Sequence, residues 1–298
     1  MGGIKTIEFD RSYIDELTSL SIGDEVFNTE GSMFLLDDYK TSKGKRVLFK
    51  YLEDQDSPRI MQRKEDIIDY LADSKYSLLD ELVIPEFKIK VDEDIVGFGM
   101  EYVEDSHNLG SIINSDVSFK TKKDYLTRLG LLIDKVDRVD EEKNFFFGDL
   151  NEFNFVVDKD NCLRAIDLDS SYVEGLEGIS PPSMTYYILR NYNLWKNPLK
   201  YRRTSLGIVI PNRDSDLYSY LMIILKTISN NNMHDVDLDT YNMYLSYLES
   251  VGIDRKLIEM FRRIYTNDPN LNPVDLIYEL DDDVVEKSDY KQFQKTLK

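Results

Sequence analysis

Asp149, Asn154 and Asp167 are the residues of this chain whose types and spacing suit a defined chemistry. They sit in Phe147-Gly148-Asp149-Leu150-Asn151-Glu152-Phe153-Asn154 and in Asp167-Leu168-Asp169. An Asp five residues ahead of an Asn, then an apolar strand, a tight turn and a second Asp, is a layout for phosphoryl transfer from a nucleotide. That chemistry needs a carboxylate to orient the attacking hydroxyl and oxygen ligands for Mg2+. Asp149 is the expected orienting carboxylate, and Asn154 and Asp167 are the expected ligands. Phe155 to Val157, the polar stretch Asp158 to Asn161, and Cys162 to Ile166 read as a β-hairpin, which would bring Asn154 and Asp167 close together.

The elements that must position these groups are legible on both sides. Upstream, Met33 to Leu36 reads as a strand, Lys40 to Gly44 as a polar turn, and Lys45 to Leu52 alternates like a half-buried strand with Lys50 near its end. Arg59 to Leu71 reads as a helix, with Pro58 suited to its start. Ile95 to Val103 is a further strand. Tyr125 to Val139 is an amphipathic helix leading into the Asp149 loop. Downstream, Asp214 to Leu225 is an apolar helix for which an Asp is a good N-cap.

In this order, over about residues 25 to 280, the motifs resemble the catalytic core of the protein-kinase superfamily. The family writes its catalytic loop H-R-D-L-x-x-x-N and its metal-binding Asp in D-F-G. Here those positions hold Phe147-Gly148-Asp149, Asn154 and Asp167-Leu168-Asp169. The resemblance implies that Lys50 holds nucleotide phosphates and pairs with a carboxylate of the following helix; Glu65 is the expected partner, with Asp66 and Asp69 as rivals. It implies that Met100 controls the back of the nucleotide pocket and that Glu101 to Val103 bind the adenine edge through their backbone, with Glu101 and Val103 as contacts. Gly31 and Ser32, in Asn28-Thr29-Glu30-Gly31-Ser32-Met33, stand where the phosphate-covering loop belongs. Ser111-Ile112-Ile113 would open the second lobe. Asp216 would accept hydrogen bonds from backbone N–H groups of the catalytic loop. Asn267 to Pro273 resembles the D-P-x-x-R-P turn late in the fold.

Departures from the family pattern carry their own expectations. One Gly survives in the phosphate loop, where the family uses three so that the backbone can approach closely. Gly148 replaces the Arg that reads an activation-segment phosphate, and Asn151 stands in for a Lys that contacts the γ-phosphate. Asp169 makes Asp-x-Asp, as in antibiotic- and choline-phosphorylating relatives, and is expected as a second metal ligand. Asn197-Pro198-Leu199 and Asn272 replace both members of the segment-holding ion pair, so neither charge is left alone. Ser180-Pro181-Pro182-Ser183 and the aromatics Tyr186, Tyr187, Tyr192 and Trp195 make the intervening segment unlike that of a standard Ser/Thr kinase.

Composition narrows the classes. The 298 residues suit one large domain or two lobes. A net charge of −19, from 37 basic and 56 acidic residues, argues against nucleic-acid and acidic-membrane binding. The single Cys162 permits no internal disulfide and fits a reducing, cytoplasmic setting. No apolar run approaches membrane-spanning length and the start lacks a secretion signal. Met1-Gly2-Gly3-Ile4-Lys5-Thr6 formally fits an N-myristoylation pattern at Gly2, but no membrane association is expected. His107 and His234 lack metal-site spacing. Abundant Asn, Asp, Lys, Ile and Tyr suggest an AT-rich bacterial or viral genome.

The resemblance therefore implies an α+β, bilobal protein-kinase-like fold. Its N-lobe, an antiparallel sheet plus one main helix, would run through Val103 with an extension over 1–24. A helical C-lobe would span 104–280, and 281–298 would be a frayed helix or an interaction tail. The expected activity is transfer of the ATP γ-phosphoryl group to a protein hydroxyl, with Mg2+ or Mn2+, as a divergent Ser/Thr kinase. Two alternatives stand beside it: a pseudokinase acting as a nucleotide-binding or interaction scaffold, and a small-molecule kinase.

Overall fold

The computed structural model of the chain describes residues 3–17, 32–52, 58–176, 211–233, 236–263, 274, 277, 280 and 282–297. The expectations placed on Gly2, Gly31, the 180–199 segment, His234 and the 267–273 turn fall outside these residues. The architecture is mixed α+β. The described residues of 1–108, 139–145 and 153–179 form one compact unit, and those of 109–138, 146–152 and 180–298 a second. The chain thus leaves and re-enters the first unit twice, rather than crossing once after Val103.

The first unit is built on a five-stranded sheet. Its elements are β1 (Lys5–Phe9), α1 (Arg11–Glu16), β2 (Ser32–Lys40), β3 (Arg46–Tyr51), α2 (Pro58–Asp73), β4 (Phe87–Val91) and β5 (Asp94–Glu101), with strand order β1-β4-β5-β3-β2. The pairs β2–β3, β3–β5 and β4–β5 are antiparallel, as expected. The edge strand β1 is not: it runs parallel to β4, with Ile7 opposite Ile89. Parallel pairing needs a long connection, and β2, β3 and α2 all intervene between β1 and β4. The N-terminal extension is therefore part of the sheet.

Period-two alternation sorts the side chains by face. Phe34 and Leu36, Val47 and Phe49, and Phe87, Ile89 and Val91 form a buried cluster with Phe9 and with Ile14 of α1. The opposite face carries the functional rows. Lys50 on β3 lies opposite Met33 on one side and Phe98 on the other, and Leu48 lies opposite Met100. Residues directly opposite share a face, so Met33, Lys50 and Phe98 form one row and Leu48 and Met100 begin the next. β5 can lie this close to its neighbours because Gly97 and Gly99 lack side chains. A Cβ at Gly97 would sit 2.0 Å from the Lys50 carbonyl oxygen, and one at Gly99 2.2 Å from the Phe87 ring.

The Phe155–Val157 and Leu163–Ala165 strands form the expected hairpin, with Phe155 opposite Ala165. It is tied into the first unit by pairing with His107–Asn108 and by Val83 N–H donating to the Ala165 carbonyl at 2.9 Å.

In the second unit, the expected amphipathic helix is Phe119–Asp137, capped by Ser118, and the expected apolar helix is Arg213–Ser229, capped by Asn212 rather than by an Asp. The two pack closely at Gly130, where a Cβ would lie 2.5 Å from the Tyr220 hydroxyl. That hydroxyl donates to the Leu126 carbonyl at 2.8 Å. The C-terminal stretch is not a tail. It forms helices Asp282–Lys287 and Tyr290–Thr296, and Phe293 is buried against Tyr244, Tyr247 and Tyr290. Val285 and Phe293 are the buried residues of these two helices, and their burial makes this docking favourable. No helix among the described residues is long and apolar enough to cross a membrane.

Candidate functional site

On the functional face of the sheet, the first unit encloses a cavity of about 250 Å3. Met33, Leu48, Met100, Val156 and Ile166 form apolar walls, Glu101 to Val103 run along one side, and Lys50 and Asp167 close one end. The sequence-selected residues Lys50, Met100, Glu101, Val103 and Asp167 thus meet around one space. They are brought there by β3, β5 and the end of the hairpin. The Glu101 side chain turns to Arg164, which donates to it at 3.1 Å. Ser32 is the first residue of β2.

The Lys50 ammonium is buried and donates to three carboxylate oxygens. It bonds Asp167 Oδ1, and it reaches Asp169 Oδ1 and Oδ2 at 2.9 and 3.1 Å. Lys64 of α2, equally buried, donates to Asp169 Oδ2 at 3.0 Å. Glu65 is not the partner of Lys50: it accepts from Lys88 on β4 at 2.9 Å, as does Asp69 at 2.8 Å. The rival Asp66 accepts from Gln62. The reason is helix rotation. Ile67, Ile68 and Leu71 are the buried stripe of α2, and Lys64 lies three, four and seven residues before them on that stripe. Glu65 is one residue, about 100°, further round. Lys64 was missed, although that stripe was a signal for its burial.

Asp169, expected as a metal ligand, is instead turned inward, its side chain 1% exposed between the two lysines. Burial alone would raise its carboxyl, but Lys50 and Lys64 hold it well below the usual carboxylate range. Asp167 behaves oppositely. Burial pushes its carboxyl up, Lys50 pulls it back, and the neighbouring Asp169 charge raises it again, leaving it above the ordinary range. Asp167 adopts the left-handed conformation at φ 63° and keeps 28% of its side chain exposed, so it is the more available of the two. The hairpin juxtaposes Asn154 with it: Ile166 N–H donates to the Asn154 carbonyl at 2.9 Å, one residue before Asp167. Among the described residues, no group of three or more His, Cys, Asp or Glu side chains is gathered as a metal site.

The Asp149 loop belongs to the second unit and is held by the Arg213–Ser229 helix at two places. Asp216 accepts from Phe147 N–H at 2.7 Å and from Gly148 N–H at 3.0 Å, the contact the resemblance implied. Lys226 pairs with the buried Glu152, a second anchor that the sequence reading missed. Gly148 has φ +70°, a left-handed conformation in which a side chain is strained. The residue in place of the family's Arg is thus also the one this turn favours. Asp149 N–H closes the turn on the Phe147 carbonyl at 2.7 Å, and its carboxylate accepts from Asn151 Nδ2 at 3.2 Å.

No protein-family model matches this chain, and no curated protein matches it.

Proposed function

We propose that the protein is an ATP-dependent phosphotransferase of two-lobed, protein-kinase-like design, acting on a protein hydroxyl in the cytoplasm. One observation carries the reading: Lys50, Met100, Glu101 and Val103, expected at the nucleotide, and Asp167, expected at its metal ion, all line the same apolar cavity. A base needs apolar walls with polar backbone at one edge, which Met33, Leu48, Val156 and Ile166 beside Glu101 to Val103 offer. Phosphates need a fixed cation, and the buried Lys50 ends the cavity.

The residues also suit a divalent cation. Asp167, with Asn154 beside it on the hairpin, offers the hard oxygen ligands that Mg2+ requires. Bound there, Mg2+ would neutralise phosphate charge. Lys50 orients the phosphates, and Asp149 orients the acceptor hydroxyl and draws on its proton. Asp169 holds Lys50 instead of metal.

The test is intact mass after incubation with Mg-ATP, beside an Asp149→Ala control. The expected result is a phosphate-sized gain in the wild type that is absent from the variant. A gain the size of AMP would assign another reaction class. Nucleotide binding with no gain on this chain or on added protein would move the assignment to a scaffold or to a small-molecule acceptor.

A further inference from the structure

We propose that Lys64 is a positioning residue for nucleotide binding: through Asp169 it fixes Lys50 at the phosphate end of the cavity. This rests on the nucleotide reading above. The three groups form one buried chain. Lys64 Nζ donates to Asp169 Oδ2 at 3.0 Å, and that carboxylate accepts from Lys50 Nζ at 2.9 and 3.1 Å. All three side chains are only 1% exposed, so the chain is not exchanged for water contacts. The helix that was expected to offer Lys50 a carboxylate offers a second ammonium instead.

The arrangement has a consequence for phosphate. A carboxylate bonded by a single buried ammonium neutralises it; one shared by two ammonium groups divides its charge between them. Asp167 also accepts from Lys50, so with Lys64 present two ammonium groups balance two carboxylates; without it the cluster turns net negative and opposes an anion in the cavity. Lys64 touches neither base nor sugar in this scheme, because it is not among the residues that line the cavity.

The experiment compares ADP with adenosine, which lacks phosphate, as ligands of the full chain. In Lys64→Met, ADP affinity is expected to fall about tenfold, or about 1.4 kcal/mol. Adenosine affinity is expected to stay at the wild-type value. Equal losses for both ligands would mean that Lys64 only supports the fold, and no loss for ADP would mean that Lys50 is positioned without it; either overturns the proposal. If Lys64→Met does not fold, Lys64→Gln keeps a neutral donor for Asp169 and carries the same comparison, with the same selective loss for ADP expected. A wild type that binds neither ligand would remove the nucleotide reading and this inference together. A wild type that binds both, beside a variant that does likewise, removes the inference alone.

Discussion

At the scale of single residues, the Asp149 loop depends on Asp216, whose two carboxylate oxygens receive two backbone N–H groups. Burial pushes this carboxyl up to about 7, against the pull of the Phe147 and Gly148 donors, and Asp137 adds to the rise. A carboxyl whose folded pKa lies above its unfolded value keeps a proton in the native state that the unfolded chain has released. Its ionisation therefore costs stability as pH rises from the ordinary carboxylate range to about 7, and the cost is constant above that. Asp216→Asn replaces two acceptors by one and leaves a buried N–H unpaired, a loss of about 1–3 kcal/mol. Denaturant titrations should find the variant less stable than wild type near the acid end of this window, with the gap narrowing towards neutral pH. A gap that widens with pH would show Asp216 ionised at low pH and stabilised by its donors. The role of Asp216 was implied by the resemblance alone; without it an acid at the start of an apolar helix reads as an N-cap, a place that Asn212 takes. The reason for Gly148 was not legible, because a positive φ leaves no mark beyond the glycine itself.

At the scale of elements, the sequence located α2 and left its rotation open. Its amphipathic period was readable, and Pro58 marks its first residue. The choice of Glu65 came from the resemblance and ignored the phase of the Ile67, Ile68 and Leu71 stripe, which points Lys64 inward. The rows on the sheet were equally out of reach, since the pairing of Lys50 with Phe98 and Met33 is set by register across strands distant in sequence. The correction can be tested. Glu65 shares Lys88 with Asp69 in a partly buried pair, so Glu65→Gln leaves Lys88 one carboxylate. It should cost about 1 kcal/mol of stability, as partly exposed ion pairs do. Nucleotide affinity should be unchanged. An order-of-magnitude loss of ADP binding in Glu65→Gln would restore Glu65 as the partner that Lys50 needs.

At the scale of the whole molecule, the expected boundary after Val103 cuts through a unit that the chain completes only later. The strand and helix segments on either side were legible because local periodicity defines them. The return of 139–145 and 153–179 to the first unit was not, because it rests on contacts between segments far apart in sequence. Ala165 N–H donates to the Glu81 carbonyl at 2.7 Å and its carbonyl accepts from Val83 N–H at 2.9 Å. Asp167 and Asp169 then supply acceptors for the buried Lys50 and Lys64. A fragment ending at Asn108 would keep both lysines and lose these acceptors. Each buried ammonium stripped of its carboxylate costs about 3–5 kcal/mol, a large share of the 5–15 kcal/mol, roughly, by which whole domains are stable. The 1–108 fragment should therefore fail to give a cooperative thermal transition or a dispersed amide spectrum. Lys50→Met/Lys64→Met in the same fragment removes the two ammonium groups that have lost these acceptors, and it should recover compactness sooner than any surface change. If the unmodified fragment folds cooperatively, the hairpin is an addition to the sheet and not a condition of it.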